Sequence, residues 1–271
     1  MLNFISFGSG SSGNCYLLYT ENDGLLIDLG IGTRVLKKYL REFGLSSTCV
    51  HHMLVTHDHA DHVKYVGKIS QLLDLPVYTT SQVHAGINRN YVVRIKIAHE
   101  HVKTVEPGVP LQLGDFLVTP FHVPHDSADN VGYRIECQGI VFCLMTDVGH
   151  FTDEMRQMVG QANYLVLEAN YDVEMLKAGS YPDYLKTRIM GPGGHLSNEE
   201  CAKALAENAT PALRHVWLCH LSEENNHPEL ARKAVEHILR SYGIVPGKDF
   251  ALDVLKRTTP TGIFHLVGSE K

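Results

Sequence analysis

Short apolar runs set the rhythm of the chain. Leu2 to Phe7, Cys15 to Thr20 and Leu25 to Asp28 are each long enough for one strand, and turn residues separate them. Gly8 to Asn14 is a glycine-serine turn. Asn22-Asp23-Gly24 tolerates the positive φ that a tight hairpin needs. The period then changes. From Thr33 to Phe43, the apolar Val35, Leu36, Tyr39 and Leu40 fall on one face of a predicted helix, which Gly44 ends. Met53-Leu54-Val55 reads as a strand, and His62 to Leu73 as a helix after it. Pro76 to Thr79 follows as a short strand and Ser81 to Ile87 as a helix.

Leu111 to Phe121 predicts a hairpin at Gly114-Asp115, and Val131 to Glu136 pairs with Ile140 to Met145 around Gln138-Gly139. Thr152 to Val159 is helical, and Tyr164 to Glu168 is a buried strand. Ser197-Asn198-Glu199-Glu200 opens a helix with a capping-box pattern. Val216 to Cys219 is a strand, and Pro228 to Tyr242 a helix with Leu230, Val235, Ile238 and Leu239 inward. Phe250 to Leu255 and Gly262 to Val267 close the chain as strands. Strands in clusters, with helices between and after them, fit two sheets packed face to face with helices outside. No internal repeat, low-complexity tract or flexible linker divides residues 1–271, which read as a single domain.

Composition narrows the function classes. A hydrophobic content of 44% supplies a buried core, which argues against disorder. The formal charge of −6 excludes a protein coated in positive charge. It leaves nucleic acid open, because a local basic strip and bound cations also hold phosphates. Asn88 to Thr104 carries Arg89, Arg94, Lys96, His99, His101 and Lys103, either as a solvated strand face or as such a strip. The six cysteines contain no CxxC pair and predict no disulfide framework. The first residues lack a basic region and a long apolar core, so no signal peptide is expected. No apolar run reaches about 18 residues, so no membrane span is expected either. A cytoplasmic protein follows from both.

The densest chemistry is Val55-Thr56-His57-Asp58-His59-Ala60-Asp61-His62, where three imidazoles and two carboxylates fall within six residues. On an extended backbone His57 and His59 point the same way. Asp61 and His62 then begin a helix and turn toward a second point. One loop can therefore face two adjacent cations, and imidazole with carboxylate suits zinc, manganese or iron. A lone histidine in a polar loop would carry no such meaning; this density and order do.

The HxHxDH pattern resembles the second motif of the metallo-β-lactamase superfamily, and the other motifs follow in order. Asp28 after Leu25-Leu26-Ile27 is similar to the first, His125 in Pro124-His125-Asp126 to the third, Asp147 in Met145-Thr146-Asp147-Val148-Gly149 to the fourth, and His220 in Leu218-Cys219-His220-Leu221-Ser222 to the fifth. Phe7 to Cys15 and Gly194 to Asn198 resemble the WalJ/YycJ branch, bacterial proteins regarded as nucleases and related to PhnP and tRNase Z. The resemblance spans nearly the whole chain. It implies an α/β fold of the four-layer αββα sandwich type and supplies the order of strands in the sheets. By the same resemblance, two divalent ions are held by His57, His59 and His125 and by Asp61, His62 and His220. Asp147 bridges them and offsets their repulsion. A water shared by the ions loses a proton near neutral pH and becomes the nucleophile.

Around this set several readings stay open. His122 competes with His125, which is preferred because Pro124 marks the strand end and ligands collect in the loop beyond it. Asp28 is expected behind the ligands, orienting one of them; otherwise it is a turn carboxylate. Asp58 has no settled role. His195 follows the loop Gly191-Pro192-Gly193-Gly194, and in PhnP-like relatives the matching histidine is regarded as a general acid. Its alternative is to help cap the helix beside Ser197. Asp61, Asp147 and His195 are thus the expected catalytic residues. Ser11, Ser12 and Asn14 are turn formers or site-wall residues, and Glu168 and Asn170 are placed to line the cleft floor.

The resemblance implies a dinuclear metal-dependent phosphodiesterase or nuclease, a DNA exonuclease in this branch, with Lys186 and Arg188 among the residues that meet phosphates. The alternative is an ester or thioester hydrolase of the glyoxalase II type, which keeps the aspartate of the fourth motif. Zinc lactamases usually place cysteine near it and carry an export signal. A regulatory metal-binding protein with little turnover is the third reading, which the intact ligand set argues against. A flavodiiron protein would have glutamate where His59 stands. The native metal, the polarity of attack and a homo-oligomeric state are left undecided by sequence.

Overall fold

Residues 1–268 are described by the computed structural model. Strands are numbered in chain order. The first sheet takes β1 (Leu2–Gly8), β2 (Cys15–Tyr19), β3 (Gly24–Ile27), β4 (His52–Leu54), β5 (Val77–Thr79) and β6 (Val102–Thr104) side by side. The second takes β7 (Leu111–Leu113), β8 (Phe116–His122), β9 (Val131–Cys137), β10 (Ile140–Met145), β11 (Tyr164–Glu168), β12 (His215–Cys219) and β13 (Ala251–Val254), again in sequence order. The last strand, β14 (Phe264–Leu266), returns to pair with β1. Each sheet starts as an antiparallel meander and turns parallel, from β3 onward in the first and from β10 onward in the second.

Parallel neighbours need crossovers, and helices supply them. In the first half these are α1 (Thr33–Glu42), α2 (Ala60–Val63), α3 (Val66–Leu73) and α4 (Ser81–Arg89). In the second half they are α5 (Asp153–Gln161), α6 (Val173–Ala178), α7 (Asp183–Ile189), α8 (Asn198–Asn208) and α9 (Pro228–Ser241). Period-two alternation in the strands sorts side chains between two apolar layers. Tyr16, Leu18, Leu25 and Ile27 face the opposite sheet, where Phe4 lies 4.8 Å from Trp217 and 5.1 Å from Phe142 between ring centroids. Leu17 and Leu26 face outward onto Leu36, Leu40, Val66 and Ile69 of the first helix layer. Cys143, Leu165 and Leu218 likewise meet Val159, Leu205 and Val235 of the second. The result is the expected four-layer αββα sandwich. Burial on both faces explains why runs such as Tyr164-Leu165-Val166-Leu167 are continuously apolar rather than alternating.

Two contacts tie the sheets together at opposite ends. After β4, Thr56 O accepts from Val131 N at 3.1 Å and Val55 O accepts from Tyr133 Oη at 2.6 Å, so the histidine loop is stitched to β9. At the other end Asp23 accepts from Gly24 N at 2.8 Å, Asp115 N at 2.9 Å and His51 Nδ1 at 2.8 Å.

Several elements differ from the sequence reading. The helix expected over 62–73 breaks at Lys64 and Tyr65, because Leu29 captures the chain: Leu29 N donates to His62 O at 2.7 Å and Tyr65 N to Leu29 O at 3.0 Å. Val35 and Leu230 are 40% and 37% exposed, so the buried stripes are narrower than the apolar pattern. The basic stretch 88–104 ends α4 at Arg89, makes a 3-10 turn at His99–His101 and supplies the edge strand β6. Residues 90–98 form no regular strand and are held by Lys96 Nζ, which donates to Asn90 O at 2.7 Å and Ile87 O at 3.0 Å. α6 and α7 carry too little periodicity to have been seen.

Candidate metal centre

The centre forms just past the carboxyl ends of β3, β4, β10, β11 and β12, where parallel strands leave an open crevice. Three of its residues occupy left-handed backbone: Asp28 at φ 60°, Asp147 at φ 55° and His220 at φ 53°. Each follows closely on a strand, and the turn aims its side chain back across the strand ends. Such backbone is uncommon outside glycine and persists where the surroundings enforce it. Gly30 meets a different demand: a Cβ there would lie 1.7 Å from Asp61 O. The turn after β3 therefore packs directly on the histidine loop.

Ligand-type atoms converge in overlapping groups, within each of which all lie within 4.8 Å of one another: His57, His59 and His125; Asp61, His62 and His220; His57, His62 and Asp147; and Asp147, Glu168, His195 and His220. Asp147 joins the groups. Its Oδ1 lies 3.6 Å from His125 Nε2 and 4.0 Å from His57 Nε2, while its Oδ2 lies 3.1 Å from His62 Nε2. His220 Nε2 and His62 Nε2 are 3.3 and 3.5 Å from Asp61 Oδ2. All seven residues of the expected ligand set are thus brought together. His122 is not among them: it is exposed on β8 and faces Asp129 at 3.6 Å.

A donor set of imidazole and carboxylate suits a divalent ion, and one atom tests the fit independently. His57 Nε2 is fully buried and has no hydrogen-bond partner among the described residues. Its Nδ1 is within 3.0 Å of Thr56 Oγ1, so the orphaned nitrogen is the one turned toward Asp147. A buried polar atom left unpaired costs about 1–3 kcal/mol, which coordination would remove. The pKa values of the cluster point the same way. Burial, reinforced by the neighbouring imidazoles, holds His57 and His125 below the usual range, so both are neutral and able to ligate. Burial opposes charge on His62 and His220 too, but carboxylates outweigh it. Asp28, Asp147 and Asp61 push His62 up to about 10, and Asp147, Asp61 and Glu168 push His220 well up. Asp147 and Asp61 are held below the carboxylate range by those imidazoles, against burial. Without metal, protons fill the places that cations would take.

Comparison with known proteins decides the family. Residues 25–220 match the model for the beta-lactamase superfamily domain. The chain belongs to the beta-lactamase superfamily. It is 34% identical over 265 residues to exodeoxyribonuclease YycJ of Bacillus anthracis, covering 98% of this chain and 99% of that one. It is 33% identical over 243 residues to exodeoxyribonuclease WalJ of Streptococcus pneumoniae, covering 89% and 90%. The crystal structure of the metallo-β-lactamase fold protein YhfI from Bacillus subtilis superposes with a TM-score of 0.71 at 17% identity, covering 98% of this chain and all of that one. As a superfamily member with this cluster, the chain is a metal-dependent hydrolase. Among the described residues no helix is long and apolar enough to cross a membrane.

Carboxylates and amides behind the superfamily's ligand positions fix ring orientation. Asp28 Oδ2 pairs with His62 Nδ1 at 2.7 Å and also accepts from Thr56 Oγ1 at 2.9 Å, which leaves His62 Nε2 for the cluster. Asn14 Nδ2 lies 2.9 Å from that Nε2 and 3.2 Å from Asp61 Oδ2, so the residue lines the centre as well as the turn. Glu168 does more than line a floor. Fully buried, it takes His195 Nδ1 at 2.9 Å and His220 Nδ1 at 3.0 Å on Oε1, and Val148 N at 2.8 Å and Leu196 N at 3.1 Å on Oε2. Its only sequence signal is a carboxylate ending an apolar strand. Asn170 Nδ2 donates to His220 O at 2.8 Å. Asp58 points away from the cluster: its Oδ1 accepts from Ala128 N at 3.0 Å and its carbonyl from Asn90 Nδ2 at 2.8 Å.

His195 lies beside these residues at the edge of a cleft of about 350 Å³, with its side chain 19% exposed. Burial opposes its charge, but Glu168 and Asp147 raise its pKa. It does not cap α8; Ser197 and Glu200 do so by a reciprocal capping box. Arg188 of α7 also lines the cleft, paired with Asp126 (Arg188 Nη2 to Asp126 Oδ1, 3.1 Å). Lys186 turns to the Lys177 carbonyl at 2.8 Å.

Proposed function

We propose that this protein is a dinuclear metallo-phosphodiesterase that degrades DNA from an end. The observation that carries the reading is the Asp147 carboxylate, whose two oxygens face different imidazoles: His57 and His125 on one side, His62 on the other. One residue placed to serve two ions suits hydrolysis at a phosphorus centre. His57, His59 and His125 would hold one ion and Asp61, His62 and His220 the other, with zinc, manganese or iron compatible with these donors. When bound, such ions supply Lewis acidity and acidify a shared water.

The chain's own residues do the rest. Glu168 fixes the Nδ1–H of His195, which leaves Nε2 as the ring nitrogen free for the cleft. The Glu168 carboxylate favours the protonated ring, which would stand in place for a departing alkoxide. Asp28 and Glu168 hold His62 and His220 with their Nε2 atoms inward. The names of the relatives support DNA as substrate. The apolar layer shared by both sheets supports one domain over the whole chain, and six unpaired cysteines suit a reducing cytoplasm.

The test joins metal analysis to an end-labelled DNA digest. Protein prepared without chelator should carry more than one equivalent of divalent metal, and degradation should stop on metal removal and return on reloading. Saturation at one equivalent or less, or digestion indifferent to metal, refutes the reading.

A further inference from the structure

A second cleft, of about 250 Å³, lies on the other side of the Gly10–Gly13 turn from the His195 cleft. The turn is the partition: Ser11 lines the first cleft and Ser12 the second. Gly8, Gly13, Gly30 and Gly32 floor the second, so a ligand there meets backbone directly. Lys64, Tyr65 and Arg257 wall it, and among the described residues no acidic one lines it. In a chain of net charge −6 this is a local reversal of sign. Arg257 runs its stem over the partition, with Cγ 3.2 Å from where a Gly10 Cβ would stand. Its Nη1 donates to the Ser222 carbonyl at 3.0 Å, which holds the guanidinium at the partition, where among the described residues no carboxylate pairs with it. Asn14, one residue beyond the floor, touches Asp61 and His62. The His195 cleft has the opposite character. Glu223, Glu224 and Asp126 line it, and its one guanidinium, Arg188, is bound by Asp126.

We infer that the glycine-floored cleft is the subsite for the phosphate next to the scissile one, and that Arg257 and Lys64 bind the body of a single DNA strand there. This deepens the proposed nuclease reading and rests on it. A continuing phosphodiester backbone is repelled by the carboxylates of the His195 cleft, which is roomy enough for a terminal nucleoside. The same backbone is attracted by Lys64 in the second cleft and by Arg257, whose guanidinium stands at the partition. The strand end and the strand body are thereby assigned to different sides of the metal cluster, and the acidic side is closed to further chain.

Two substrates separate the possibilities. Thymidine 5′-(p-nitrophenyl phosphate) has a single phosphate and reaches the cluster without the second subsite; an end-labelled oligonucleotide uses both. For Arg257→Gln and Lys64→Gln, kcat/KM on the oligonucleotide should fall roughly tenfold relative to the small diester. The dependence of log KM on log[salt] should flatten by roughly one phosphate contact per variant. Arg257→Lys should restore part of both. Metal content and Tm establish that each variant is folded and loaded. Arg257 also tethers the Ser222 loop; a merely structural role would lower both substrates together and leave the salt slope unchanged, which overturns the subsite. Equal oligonucleotide kinetics in variants and wild type overturns it too, with the nuclease reading intact. Wild-type protein that cuts the small diester but neither cuts nor binds the oligonucleotide defeats the nuclease reading itself, and this subsite falls with it.

Discussion

Glu168→Gln is the most informative single change, because nearly isosteric replacement leaves packing alone and removes only acceptors and charge. The carboxylate receives two imidazole N–H groups on Oε1 and two backbone N–H groups on Oε2, all between 2.8 and 3.1 Å. A glutamine offers one oxygen and one NH₂. If the NH₂ faces Val148 N and Leu196 N, two buried backbone donors lose their partner, at about 1–3 kcal/mol each. If it faces His195 and His220, both rings are driven to the other tautomer. His220 Nε2 then carries a proton and cannot ligate beside Asp61. In that second orientation the ring support of the proposed second ion is lost, an effect worth about 10–100-fold in metal affinity. The expected outcome is a metal-free Tm lowered by the equivalent of about 2–6 kcal/mol when the backbone donors are stranded, or a smaller loss with weakened metal binding when the rings are. Calorimetric unfolding of the chelated protein and metal titration against a competing chelator distinguish the two. A variant with wild-type Tm and wild-type metal affinity refutes the reasoning, since no orientation of the amide satisfies all four donors.

Other consequences are independently checkable. Asp147→Ala should abolish hydrolysis of a model phosphodiester while keeping the circular-dichroism spectrum; unchanged turnover removes Asp147 from the centre. His195→Ala should keep its metal, lose about 10²–10⁴ in rate on a DNA alkoxide and much less on a p-nitrophenyl diester; equal losses with depleted metal make it a ligand instead. Because carboxylates push His62 up to about 10, an arriving ion displaces a proton below that pH. Zinc affinity should therefore rise with pH toward 10. The metal-free protein should lose the corresponding stability over the same rise, since a raised folded pKa stabilises below the unfolded value of about 6.5. Calorimetry in two buffers that shows no proton release near pH 7 contradicts this. Burial opposes ionisation of Asp23, but the Asp115 N–H and His51 hold its carboxyl below the ordinary value. Its stabilisation is present above that value and lost as pH falls through the lowered one, so Asp23→Asn should melt lower at pH 6 and converge with wild type in acid.

Much of this was legible because the chemistry is local. His57 to His62 lie on one loop, and the strand before it and helix after it follow from apolar period alone. His125 could be preferred to His122 because Pro124 ends the strand. What escaped depends on partners distant in the chain. Glu168 is 27 residues from His195 and 52 from His220. Asn14 is 47 from Asp61, and nothing in a glycine-serine turn announces that contact. The break at Lys64 is imposed by Leu29, 33 residues before His62, against a helical pattern that would otherwise run on. Tertiary hydrogen bonds overrode propensity there. Val35 and Leu230 show the converse: the period is right, but each lies at the exposed margin of its helix's apolar face.

The stitch between the histidine loop and β9 has a consequence for how long the molecule survives. Residues 57–62 follow a strand of one sheet, while Asp147 and His220 follow strands of the other. Ions held as proposed would span the two, like clasps across a book's open edge. A clasp bound only when the covers are closed adds about 2.7 kcal/mol at a hundred times its dissociation constant. Resistance to proteolysis would then track metal supply: a metal-starved cell would lose the protein itself, as well as its activity.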